Sequence, residues 1–154
     1  MRPVPVAAVL AFAALALPVA AANAGPEGSA NATMCVANTQ LRAQNEVPPT
    51  TSIASGHTQI KVRNDGTIEF KAHLSNPGQE TFIAGHIHAA PSGVNGAIVQ
   101  AIFVGGPASD REISQKGEVS NAALGQAICA NPDAFYVNYH STADPAGAIR
   151  GQLG

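Results

Sequence analysis

Along residues 57–63, "HTQIKVR", the chain alternates strictly. Thr58, Ile60 and Val62 fall on one side, and His57, Gln59, Lys61 and Arg63 on the other. A period of two is that of a β-strand with one buried face. The pattern returns in "TIEFKAHL" at 67–74, where Ile68, Phe70, Ala72 and Leu74 oppose Glu69, Lys71 and His73. Between the runs lies Asn64-Asp65-Gly66, residue types that suit a tight hairpin turn. The two runs therefore predict a β-hairpin.

Further short strands are expected at 81–89 ("TFIAGHIHA"), 97–104, 134–140 ("AFYVNYH") and 148–153 ("AIRGQL"). Residues 105–119 read as loop with room for one short strand. "SNAALGQAICANP" at 120–132 breaks the alternation: Leu124 and Ile128 stand four apart, Ser120 or Asn121 can cap, and Pro132 stops the run. That is the pattern of a short helix. Several short strands at close intervals predict an antiparallel sandwich or barrel.

Composition agrees: Gly and Pro number 15 and 11, and charged residues are only 12% of the 154. At the N-terminus Arg2 precedes an apolar run at 6–17, too short to cross a bilayer with ease, and Ala22 and Ala24 form an A-x-A cleavage pattern. Residues 1–24 are thus expected to be a signal peptide, 25–38 a flexible leader and 39–154 the domain. Export places the protein in a periplasm or outside the cell, with no transmembrane segment once the signal is cut. The balance of 8 basic against 10 acidic residues, with Arg2 inside the signal, is mildly acidic. It argues against nucleic acid or an anionic membrane as partner.

In an oxidising compartment the two cysteines, Cys35 and Cys129, are expected to form a disulfide. His86 and His88 sit at i and i+2, on one strand face and about 6.5–7 Å apart along it, with Ile87 toward the core. They can share a metal only if another strand brings a third donor. His140 is the candidate, because Tyr136, Asn138 and His140 share a face. Three neutral imidazoles suit Cu(II), Zn(II) or Ni(II). The competing reading leaves all three as solvated polar residues. His57 and His73, among Gln, Lys, Glu and Arg, read as surface residues, and Arg150 as a rim ion-pair partner or a charge that steers anions. Ser141 and His140 point to opposite faces, and no two carboxylates stand as an acid/base pair, so nothing indicates a hydrolase.

"LRAQNEVPPT", "AGHIHAAPSGVNGAIV" and "FYVNYHSTADPAGAIRGQL", with the hairpin between the first two, resemble the CHRD domain, named from chordin. The resemblance runs from Leu41 to Leu153 and implies a β-sandwich. A more distant similarity, in the order of "GHIH", a late "YH" and "PAGAIRGQLG", is to copper–zinc superoxide dismutases, which implies a Greek-key antiparallel β-sandwich of the dismutase-like or immunoglobulin-like kind. By that similarity His86, His88 and His140 would be copper ligands and Arg150 would guide an anion. No histidine lies between His88 and His140, so the zinc site has no counterpart. The implied site is copper-only, with His57, His73 or water as a fourth donor and at most a dismutase-like activity. The alternative function is a non-catalytic extracellular interaction or structural module with a protein partner. Aromatic residues, at 5%, offer that reading few anchors.

Overall fold

The computed structural model of the protein describes residues 29–154. The expected signal peptide and the start of the expected leader lie outside the described residues. Eight strands follow one another as β1 (Thr33–Arg42), β2 (Ser55–Arg63), β3 (Thr67–Ser75), β4 (Phe82–Ala89), β5 (Ala97–Ala101), β6 (Glu112–Ser120), β7 (Phe135–Ser141) and β8 (Ile149–Gln152). The helix α1 (Ala122–Ala130) lies between β6 and β7. Among the described residues no helix is long and apolar enough to cross a membrane.

The strands form one antiparallel sheet in the order β5-β4-β7-β8-β1-β2-β3-β6. The seam between β8 and β1 is thin, a single register pair of Arg42 with Arg150. There the sheet curls, so the two sandwich layers are the two halves of one sheet. The all-β expectation with one short helix holds. Leu41, Ile60, Ile68 and Leu74 from one half and Phe82, Ile87, Val137 and Ile149 from the other are fully buried in one core. The hairpin of β2 and β3 pairs as its alternation predicts, Ile60 opposite Phe70 and His57 opposite His73.

Two segments depart from expectation. The strand β1 begins at Thr33, inside the segment read as a flexible leader, and it pairs along β2 from Thr33–Arg63 to Arg42–Ser55. Its inward residues Ala37, Thr39 and Leu41 are small or polar except for the last, which hid the alternation. Residues 112–120, where the sequence leaves room for one short strand, form the nine-residue strand β6. Its inward positions are Ile113, Gln115, Gly117 and Val119, so only two of four are apolar. Gly117 is required by its neighbour: a Cβ there would lie 2.6 Å from Cζ of Phe70. Gln115 is buried because its Oε1 accepts a hydrogen bond from the Val104 amide at 2.9 Å.

The helix starts at Asn121, whose side chain accepts from the Leu124 amide. It lays Leu124, Gly125 and Ile128 on the core beside Val62 and Ile68. Cys129 near its end is bonded to Cys35 on β1, 94 residues away, with Cα atoms 5.6 Å apart. The expected disulfide therefore staples the helix to the sheet. Replacing both cysteines by alanine is expected to lower stability by about 4.7 kcal/mol, the loop-closure entropy of a loop this long. Urea unfolding of the oxidised protein and the double variant measures it. A loss below about 1 kcal/mol would show that the bridge is incidental to stability.

Candidate metal centre

The half-sheet β5-β4-β7-β8 has an apolar inner face and a polar outer one. Register places His86 opposite Asn138, His88 opposite Tyr136 and Ala84 opposite His140 on β4 and β7. On β8, Arg150 stands opposite Asn138, and Gln152 opposite Tyr136. Residues directly opposite in an antiparallel pair share a face. The outer face thus carries His86, His88, Tyr136, Asn138, His140, Arg150 and Gln152 in one lattice.

This face is not open to water. Loops 43–53, 90–96 and 142–147 fold over it, tied down by Thr50 Oγ1 donating to Ala148 O, Asn95 Nδ2 to Val47 O and Gln152 Nε2 to Ala90 O. Every residue of β7 is consequently buried. His88 and His140 are buried and His86 is half-buried.

His86, His88 and His140 converge as expected. Each can offer one ring nitrogen, and those three nitrogens lie within 4.8 Å of one another. A metal bonded to each at about 2.0 Å would hold its donors at most about 4 Å apart, so the rings need only a small inward shift.

Their tautomers follow from their partners. Nδ1 of His88 is 2.9 Å from Gly96 O, and Nδ1 of His140 is 3.0 Å from Pro145 O. A carbonyl only accepts, so both Nδ1 atoms carry the hydrogen and both Nε2 atoms keep the lone pair. His140 Nε2 stands 2.8 Å from His86 Nδ1, which donates to it. His88 Nε2 is buried and has no partner among the described residues. An imidazole whose far nitrogen is held by a carbonyl and whose near nitrogen is free is arranged as a metal ligand.

Electrostatics favour the neutral form of His86 and His140. Burial, with repulsion from His140 and His88, lowers the pKa of His86 to about 4. Burial likewise lowers that of His140, with His88 adding to the effect and the Pro145 carbonyl opposing it. His86 therefore stays neutral well below neutral pH, and the proton affinity of His140 is lowered in the same sense.

Arg150 is 1% exposed. Its guanidinium carbon lies 3.3 Å over the centre of the Tyr136 ring, and that ring stacks on His88 at 4.7 Å and 10°. Its donors go to Asn95 Oδ1 and to the carbonyls of Val94 and Pro91. His57 and His73 belong to the other layer: their rings are 5.7 Å apart on its outer face, and His73 Nε2 meets Glu112 Oε2 at 2.9 Å. With the core between, neither supplies a fourth nitrogen to the cluster.

Glu46 was not singled out among the carboxylates in the sequence, yet it is 5% exposed, with Oε1 unpartnered. Burial pushes its pKa up to about 7, against the pull of Arg150 and the Asn138 amide and with help from Asp144. Only its position inside "NEVPP" hinted at a special place, and nothing in spacing reveals burial. A carboxyl whose folded pKa is raised stabilises most below its ordinary 4.5 and loses that contribution as pH rises through about 7. His86 does the opposite, its contribution being present above 6.5 and lost as pH falls toward 4. The two slopes oppose each other between 4.5 and 6.5. Glu46→Gln is therefore expected to be more stable than the parent above pH 7, by on the order of 1–2 kcal/mol. That advantage should vanish near 4.5, leaving the variant with the steeper loss on acidification. Urea midpoints across this range test it, and parallel profiles would mean Glu46 is not buried as a neutral acid.

Among curated proteins and solved structures, none matches this chain. The family profile described as the CHRD domain matches residues 37–153, from the middle of β1 to the residue after β8. It spans both half-sheets, the disulfide-bonded helix and the whole histidine-bearing face, and this chain belongs to the CHRD domain family.

Proposed function

We propose that this protein is an exported CHRD domain that holds a single copper ion through His86, His88 and His140. One observation carries the reading: His88 Nε2 is buried without a partner while its Nδ1 is fixed on the Gly96 carbonyl. A polar atom left unpaired in the interior costs about 1–3 kcal/mol, and a bound metal removes that cost. Three imidazoles suit borderline metals, and copper stands highest among the divalent ions for nitrogen donors. The disulfide accords with an oxidising compartment, outside the cytoplasm.

Copper in such a site supplies one-electron redox chemistry. His140 and His88 enter with their lone pairs already exposed to the site, whereas His86 must pass its Nδ1 hydrogen to Nε2, which its half-exposed position allows. The buried charge of Arg150, one phenol ring away from His88, adds a positive field that favours a small anion. A superoxide-related or copper-holding role in the envelope follows from these features and accords with the dismutase-like order of residues.

A module that binds another protein has one observation in its favour. The strand β5 is an uncovered sheet edge without charge, and it exposes Ile98 and Val99. Edges of that kind invite strand addition.

Calorimetric titration of the oxidised chain with Cu(II), with EPR on the product, distinguishes the two. One equivalent with nitrogen hyperfine structure is expected. His86→Ala combined with His88→Ala should weaken binding by more than about 100-fold, beyond the 10–100-fold cost of losing an outer partner. Nonstoichiometric uptake, or equal affinity in the double variant, would reject the metal reading and favour the interaction module.

A further inference from the structure

We infer that Arg150 is a positioning residue: it clamps the 91–96 loop and the Tyr136 ring, and so fixes the orientation and tautomer of His88. The inference deepens the copper-site reading and rests on it for its functional meaning, but its geometry stands without a metal.

The guanidinium spends its planar fork on one loop. Nη2 donates to Val94 O at 2.9 Å and Pro91 O at 3.4 Å, and Nη1 donates to Asn95 Oδ1 at 3.2 Å. Asn95 passes the connection on through Nδ2 to Val47 O. The loop ends at Gly96, whose carbonyl accepts from His88 Nδ1 and whose amide donates to Tyr136 Oη at 3.3 Å. Gly96 must be glycine, since a Cβ there would strike the Ala89 carbonyl oxygen. The chain from Arg150 to the ligand atom is thus short: guanidinium, loop carbonyls, Gly96 O, His88 Nδ1–H, free Nε2.

A second route runs through the rings. A guanidinium 3.3 Å over the Tyr136 centroid fills one face of that ring, leaving the other for His88, which stacks nearly parallel to it. Cation–π contacts of this kind are strongest where water is excluded, and Arg150 is almost wholly buried. Both routes meet at His88 and neither touches His140, whose Nδ1 is held by Pro145 O instead. That asymmetry supplies an internal control.

Lysine at 150 keeps the charge but concentrates it on one nitrogen, which cannot span three acceptors while lying flat on a ring. The test is long-range proton–nitrogen NMR of histidine side chains in the metal-free, oxidised chain at mildly alkaline pH, followed by Cu(II) titration. In the parent, His88 and His140 are expected as single Nδ1–H tautomers. In Arg150→Lys, His88 is expected to become a tautomer mixture while His140 stays fixed, with Cu(II) affinity reduced by about 10–100-fold. Asn95→Ala trims one exposed arm of the clamp and should shift His88 in the same sense to a smaller extent. It decides the matter if the Lys variant does not fold.

A His88 tautomer unaffected in either folded variant would overturn the inference. So would equal loosening of His88 and His140, which would mark Arg150 as a general structural residue. If His88 responds selectively and yet the parent takes up no copper, the clamp stands and the copper reading falls.

Discussion

The strand β7 is buried on both faces, and that double burial governs the rest of the molecule. Its inward residues, Val137 and Tyr139 among them, join the apolar core, Tyr139 with its hydroxyl buried and unpaired. Its outward residues, Tyr136, Asn138 and His140, are polar and equally hidden. A buried polar group must find partners within the protein or lower the stability of the fold. The loops over the outer face supply them mostly as backbone carbonyls: Pro145 for His140 of β7, Gly96 for its neighbour His88 on β4, and Pro91 and Val94 for Arg150 on β8. Irregular loops suit this purpose, since their carbonyls are not consumed by a sheet ladder.

Two consequences follow for chemistry. Carbonyl partners dictate tautomers, so His88 and His140 both present Nε2 to one another's neighbourhood. The satisfaction is also incomplete: His88 Nε2, Glu46 Oε1 and Asn138 Oδ1 remain unpaired on one face. Thr58 Oγ1 and Tyr139 Oη are unpaired on the core side too, but only the outer face gathers its unpaired atoms beside a cluster of histidines. The lowered pKa values of His86 and His140 and the raised one of Glu46 express the same desolvation in groups of opposite charge type.

The position of Arg150 shows how a residue can look alike in two settings and act differently. In a glycine-rich segment near the chain end, an arginine reads as an exposed guide for anions. Here the 91–96 loop closes over it, and its hydrogen bonds are turned inward to backbone. Burial lowers its pKa, with Tyr136 and Glu46 opposing the effect, yet so strong a base keeps its charge near the histidines. The same loop is held at its other end by Gln152 on Ala90 O, so β8 anchors both ends of the cover.

The alternation of β2, β3, β4 and β7 determined by itself that this is a β protein, which residues face the core, and that His86 and His88 share a face. A period of two is a local property, written in consecutive residues. The helix was equally legible, from Asn121 to Pro132, because caps and stops are local too. The strands β1 and β6 were not, since their inward positions include Ala, Thr, Gln and Gly, whose fitness depends on what packs against them, as Gly117 depends on Phe70. Only the tertiary structure decided that β4 and β7 pair in the register that joins His140 to His86 and His88. It alone buried Glu46 and sank Arg150 beneath a loop. Pairing register and loop closure arise from contacts between segments far apart in the chain, and no spacing within one segment encodes them.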